Sequence, residues 1–361
     1  MDKTITYIIA ILAVVSLVVA TYGLVTFQGQ INDLTDSNSA LENSLGDIQG
    51  TLTTIQGQIT DYQETIAEQQ EQITEYQQVT LVDAMGNVVT LTSAPERIVS
   101  LAPSNTESLF LIGAGDMVVG VTDYCDYPYN FTAWIEAGNM SSIGNYYGPS
   151  VEPIVALEPD LVLASTGSLD AAATLNNLGY NVLIIEGRTL DDILQDIILV
   201  GRATYKDAEA SAVVTDMRAR IDAVANQAVG ATTTPKVYHE VWNEPLMSVG
   251  PNTFIDELIT LAGGTNIFND ATTSWPQISS EAVIEKNPDV MFFPDMYMGR
   301  DNFYDTIEAV GDRPGWNSIS AVQNDALYEI NADIISRTGP RLVDAIEAIA
   351  KMVHPEIFGQ P

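Results

Sequence analysis

The chain has 361 residues, 46% of them hydrophobic, enough for one large or two medium domains around a sizeable core. Its 14 Lys and Arg stand against 48 Asp and Glu, a net charge of −34 that repels phosphate backbones and excludes nucleic acid as a partner. A single cysteine, Cys125, excludes an internal disulfide and a cysteine-cluster metal site, and two histidines, His239 and His354, are too few for a His-rich metal centre.

From Ile5 to Phe27 no charged residue occurs, and Ile, Leu, Val and Ala dominate. At ~1.5 Å per residue, such a helix crosses a hydrocarbon core of roughly 30 Å. Residues 1–28 are therefore expected to be a transmembrane anchor. A cleaved signal peptide is the rival, but the apolar run is long for one and no clean small-x-small site follows it. No cysteine lies nearby to carry a lipid. Lys3 is the only basic residue before Arg97, which places the N-terminus in the cytoplasm and the remainder outside, as a single-pass protein.

Residues 29–78 carry a heptad pattern. Ile31, Leu34, Asn38, Leu41, Leu45, Ile48, Leu52, Ile55, Ile59, Tyr62, Ile66, Gln69, Ile73 and Tyr76 follow in steps of three and four, which predicts a coiled-coil stalk and a homo-oligomer formed through it. Asn38 sits at an a-type position suited to fixing register. Gly46, Gly50 and Gly57 each weaken the helix by ~1 kcal/mol relative to Ala. Every charge between Asp33 and Glu75 is acidic, so paired helices repel unless salt screens them. A flexible polar spacer is the alternative reading.

The globular part starts near Val79 with two strands around Met85-Gly86-Asn87 and a third at Arg97–Leu101. Short apolar strands follow at Val118–Val121, Leu161–Ala164, Val182–Ile185, Val237–Val241, Val290–Phe293 and Leu327–Ile330, alternating with helical patterns. That alternation predicts an α/β fold with largely parallel sheets, arranged as two Rossmann-like lobes over 79–188 and 235–361. Between Leu190 and Val229 a helical pattern runs without proline. It predicts a single long connecting helix within 189–234. An internal repeat supports two lobes: Glu152-Pro-Ile-Val-Ala-Leu-Glu-Pro159-Asp160 recurs as Glu281-Ala-Val-Ile-Glu-Lys-Asn-Pro288-Asp289. A glutamate in a first helical turn is also stabilising in its own right.

No G-x-S-x-G, P-loop or G-x-G-x-x-G occurs, and His239 has no neighbours that order it into a triad, so the chain is not expected to be an enzyme. Aromatic residues in turn-like contexts stand out instead: Tyr124 in Asp123–Pro128, Tyr146 in Asn145–Gly148, Trp242 in Val241–Pro245 and Trp275 in Ser274–Gln277. Placed at strand ends in both lobes, they would line a shared cleft for a large, flat, partly apolar ligand.

These segments resemble the substrate-binding proteins of ABC importers for iron complexes and vitamin B12. The opening Val79–Leu91 and Pro95–Glu107, Asp126-Tyr127-Pro128, the Glu152 and Glu281 helices, Gly263–Phe268, Trp275-Pro276-Gln277 and Arg337-Thr-Gly-Pro-Arg341 carry the likeness over about Val79 to Ile357. The cobalamin-binding members are most similar. The resemblance implies two lobes on one long helix, a corrinoid ligand with no further cofactor, and an ABC permease with its ATPase as partners. It implies that Tyr124, Tyr146 and Trp275 contact the ligand, and that Asp333 to Arg337 hydrogen-bond its amides, with Ile334, Ile335 and Ser336 departing from the usual residues. It places Glu152 and Glu281 at lobe tips that dock on the permease. A ferric siderophore or haem is the alternative ligand, and a surface scaffold without transport the alternative role. The anchor and stalk lie outside the likeness and are similar in style to archaeal surface proteins.

Overall fold

The computed structural model describes residues 3–76, 78–295 and 307–361. The chain forms two units, Met1–Ile73 and Thr74–Pro361. The first is built from one α-helix, Lys3–Tyr76, of 74 residues, or roughly 110 Å at ~1.5 Å per residue. It runs without a break across the expected boundary between anchor and stalk and through Gly46, Gly50 and Gly57. It contains the one described segment long and apolar enough to cross a membrane. Thr51, Thr54 and Thr65 donate their hydroxyls to carbonyls four residues back, at 2.9–3.0 Å, which satisfies them within the helix. Asn38 donates its amide to Glu42 of the same helix at 3.2 Å. The seam residues Ile31, Leu34, Leu41, Leu45, Ile48, Leu52, Ile55, Ile59, Tyr62 and Ile66 are all exposed. Gln69, Ile73 and Tyr76 fall where side chains lie outside the described residues. A peptide of residues 28–78 is expected to be more helical and more associated in ~1 M salt than in ~0.01 M, because the screening length falls from about 30 Å to about 3 Å. Sedimentation and circular dichroism measure this; a monomeric coil at both salts favours the flexible spacer.

The second unit opens with an antiparallel hairpin, β1 (Val79–Val82) and β2 (Val88–Leu91). Asp83 shapes its turn by accepting from the Met85 and Asn87 amides at 2.9 and 2.8 Å. Two five-stranded sheets follow. The first joins β3 (Ile98–Ser100), β4 (Val118–Val121), β5 (Ser141–Ser142), β6 (Leu161–Ala164) and β7 (Val182–Ile184), all parallel, in the order β5-β4-β3-β6-β7. The second runs β10-β8-β11-β12, with β8 (Lys236–Asn243), β10 (Thr265–Asn266), β11 (Val290–Pro294) and β12 (Leu327–Ile330) parallel; β9 (Leu246–Ser248) pairs antiparallel with β8. Strands β3, β6, β7 and β11 are buried along their whole length, which is why they read as unbroken apolar runs rather than alternating ones. Each sheet with its helices makes one lobe.

The single connecting helix is corrected to two, Leu190–Ala203 and Asp207–Ala228. Tyr205 adopts φ 57°, the Lys206 amide donates to the Gly201 carbonyl at 2.7 Å and the Tyr205 amide to that of Arg202 at 3.4 Å. This is a helix stop of the Schellman kind with tyrosine at the left-handed position usually filled by glycine. Gly201 is required there, since a Cβ on it would lie 2.3 Å from the Ala210 Cβ of the next helix. One hydrophobic core runs from Ile98, Leu161 and Leu183 through Ile193, Ile197, Met217 and Val224 to Val237, Phe292 and Ile346. The two helices are thus the shared interior of both lobes. The outer face of each sheet has its own smaller core.

The repeat has a structural cause. In the first lobe the Asp160 carboxylate accepts from the Arg97 amide at 2.9 Å, and Arg97 Nε donates to the Leu157 carbonyl at 2.8 Å. In the second the Asp289 carboxylate accepts from the Lys236 amide at 2.8 Å, and Lys236 Nζ donates to the Lys286 carbonyl at 3.2 Å. In both lobes the Pro-Asp aspartate holds the start of the neighbouring strand, whose first cation caps the preceding helix.

Candidate functional site

In both sheets the strand order reverses beside the first strand, between β3 and β6 and between β8 and β11. Open α/β sheets bind ligands outside the carboxyl ends of the strands at such points. A cleft of about 550 Å³ lies there and draws its walls from both lobes: Ser104 after β3, Ser165 after β6, Glu186 to Arg188 after β7, His239 and Val241 on β8, and Pro294 at the end of β11. Tyr146, Trp275, Ser336 and Thr338 complete the mouth.

Two expected aromatics therefore meet in the cleft. Tyr146 lies against the backbone of Gly167, where a Cβ would sit 2.7 Å from its ring. It packs edge-on with Tyr147 at 4.6 Å, and burial pushes its phenol above the ordinary range. Trp275 is 44% exposed, so it keeps a free face for a ligand.

The other expected ligand residues are placed elsewhere. Trp242 does not line the cleft. On β8, His239 and Val241 line it; the pairing with β9 slips by one residue between Glu240 and Trp242, and the Trp242 indole donates to the Glu244 carbonyl at 2.8 Å. Tyr124 is exposed and its carbonyl accepts from Arg337 at 3.3 Å.

Asp333 and Arg337 belong to an ion cluster that joins the lobes. The Glu107 carboxylate, with its side chain 1% exposed, accepts from Arg337 Nη1 at 2.8 Å and from Arg341 Nε and Nη2 at 2.9 and 2.7 Å. Arg337 also pairs with Asp126 at 2.7 Å and Asp333 at 2.6 Å. Arg341 lies over the Tyr127 ring at 4.3 Å. Burial pushes the Asp333 carboxyl above its ordinary value, against the pull of Arg337. Because Ser336 and Thr338 line the cleft on either side of Arg337, the cluster holds that wall in place. Ile335 is buried in the shared core. A second tie between the lobes runs from the Phe254 amide to the Arg188 carbonyl at 2.7 Å.

Glu152 and Glu281 are exposed, each in the first turn of a short helix, and neither lines the cleft. Cys125 is buried beside the Thr106 and Thr122 hydroxyls, and burial pushes its thiol up, away from the reactive thiolate. Sequence reasoning did not select His239, Glu186, Arg188 or Thr338 as cleft residues, and named Ser336 only as a departure within the segment Asp333 to Arg337. For Glu186 and Arg188, position just beyond the carboxyl end of β7 was the available signal, whereas His239 lies in mid-strand.

A fold of two parallel sheets with a cleft across their strand ends defines a solute-binding protein. Residues 98–334 match the periplasmic binding protein family, and the chain belongs to it. It is 31% identical over 288 residues to an uncharacterized ABC transporter substrate-binding lipoprotein of Bacillus subtilis, covering 78% of this chain and 87% of that one. It is 30% identical to the vitamin B12-binding protein of Vibrio cholerae over 70% of this chain and 87% of that one. The crystal structure of the Vibrio cholerae vitamin B12-binding protein BtuF covers 72% of this chain and 96% of its own, at 29% identity and a TM-score of 0.59. The haem-binding protein RhuT of Roseiflexus covers 72% and 98%, at 26% identity and a TM-score of 0.64. The chain is a substrate-binding protein of the ABC-importer class.

Proposed function

We propose that this chain is a membrane-anchored extracellular binding protein that captures a corrinoid between its two lobes and delivers it to an ABC importer. The observation that carries this is the cleft at both strand-order reversals, with Tyr146 and Trp275 at its mouth, in a chain similar to vitamin B12-binding proteins. The helix Lys3–Tyr76 supports anchoring through its apolar N-terminal third and association through its exposed seam. Capture and release need no covalent step. A second reading, a haem or ferric siderophore ligand, is favoured by the likeness to RhuT.

Trp275→Ala and Tyr146→Ala are each expected to weaken corrinoid binding by about 1–3 kcal/mol, whereas Tyr124→Ala and Trp242→Ala, outside the cleft, should change it by less than about 0.5 kcal/mol. Titration of tryptophan and tyrosine fluorescence with cobalamin and cobinamide measures this. Equal affinity in all four variants removes the cleft as the site. Binding of a ferric siderophore or haem with no corrinoid binding promotes the second reading, and the absence of any ligand-induced rise in melting temperature favours a scaffold.

A further inference from the structure

His239 lines the cleft with one ring nitrogen bonded to a neighbour and the other without a partner among the described residues. It is 2% exposed, and its ring stacks on that of Phe292 at 4.5 Å with the planes 23° apart. Its Nδ1 lies 3.1 Å from the Phe292 carbonyl on the adjacent strand β11. A carbonyl can only accept, so Nδ1 carries the proton and Nε2 the lone pair. Among the described residues Nε2 has no hydrogen-bond partner, and it is not among the sealed, unpartnered polar atoms. What surface the ring keeps faces the cleft it lines. Burial pushes its pKa down to about 4, so the imidazole is neutral across the physiological range. A neutral imidazole whose other ring nitrogen is anchored to a backbone carbonyl is the arrangement of a metal-ligating histidine.

We propose that His239 Nε2 coordinates the metal of the bound ligand, which makes the site selective for a cobalt or iron tetrapyrrole carrying water at one axial position. The proposal rests on reading the cleft as a site for a metal chelate. The exchange is balanced: an Nε2–metal bond forms with the imidazole lone pair, the metal–water bond breaks, and water leaves with its own pair. Neither the metal nor the protein changes oxidation state. A ferric siderophore whose six positions are filled by its own oxygens offers no such exchange. His239 would therefore separate the two ligand classes that fold and family leave together.

The test uses the full chain in detergent micelles with aquacobinamide, dicyanocobinamide (both axial positions occupied) and ferric protoporphyrin. Aquacobinamide is expected to bind at least about tenfold more tightly than dicyanocobinamide and to take on the absorption spectrum of an imidazole-bound cobalt. His239→Ala should abolish both the preference and the spectral change, keep the dicyanocobinamide affinity, and regain the spectrum when free imidazole is added. Ferric protoporphyrin binding with an imidazole-type spectrum, and no corrinoid binding, supports His239 and overturns the corrinoid. A wild-type complex without an imidazole-type spectrum overturns the coordination alone, whether or not the Ala variant folds. Failure of all three chelates to bind overturns the chelate reading and this proposal with it.

Discussion

Glu107→Ala is expected to destabilise the folded head by about 3–5 kcal/mol, the usual cost of removing one partner from a buried ion pair. The carboxylate is sealed from solvent and holds two guanidinium groups that are 14% and 16% exposed. Without it both cations stay buried with less compensation. The effect should fall toward the low end, because Asp333 and Asp126 remain to partner Arg337. In a unit of this size that is a loss on the order of 10 °C in melting temperature. Asp126→Ala removes a carboxylate that is 60% exposed and should cost no more than about 1 kcal/mol. The contrast is the point of the test, since both residues bond the same nitrogen of Arg337. Glu107→Ala should also weaken ligand binding, as the wall carrying Ser336 and Thr338 loses its hold on the N-terminal lobe. Thermal unfolding with and without ligand measures both, and equal melting points for the two variants would show that the cluster does not bind the lobes together.

Glu152→Ala combined with Glu281→Ala should abolish ligand uptake while leaving ligand affinity and melting temperature almost unchanged. Both side chains are exposed and remote from the cleft lining, and such substitutions usually fall within about 0.5 kcal/mol. The repeat around them separates cleanly into two parts. Its aspartates, Asp160 and Asp289, hold strand starts, so their replacement should cost stability. Its glutamates take no part in those bonds. A matched carboxylate on each lobe suits a partner that presents two cationic patches, where charge sets choice and rate of encounter. Replacement by Lys should be worse than by Ala, because it adds repulsion to lost attraction. Uptake and ATPase stimulation in membranes containing the importer measure this. Wild-type uptake by the double variant, with protein present at the surface, would falsify docking through these residues.

Much of the fold was legible locally. The strands Val118–Val121, Leu161–Ala164 and Leu327–Ile330 carry the expected bounds, and the signal is cleanest in Leu161–Ala164, which is buried along its whole length. The two-residue strands Ser141–Ser142 and Thr265–Asn266 were not, since pairing alone makes them strands. The split of the connecting helix was hidden for a specific reason: its left-handed stop is Tyr205, and sequence reasoning looks for glycine or proline at such a place.

The site divides in the same way. That aromatic residues after strands would gather in a cleft followed from the order of elements, and Tyr146 and Trp275 do so. Trp242 is not among the residues that line the cleft, and it follows an irregularity in β8 that no local pattern marks. Taken alone, the sequence determined the long apolar helix, its exposed seam, the α/β alternation and the repeated Pro-Asp module, all of which are patterns between near neighbours. Only the tertiary structure decided that Arg337 faces Glu107, 230 residues away, and that the Phe292 carbonyl fixes the ring of His239 beside the cleft. Those partners come from different strands and lobes, and no spacing along the chain encodes a contact that the packing of two sheets creates.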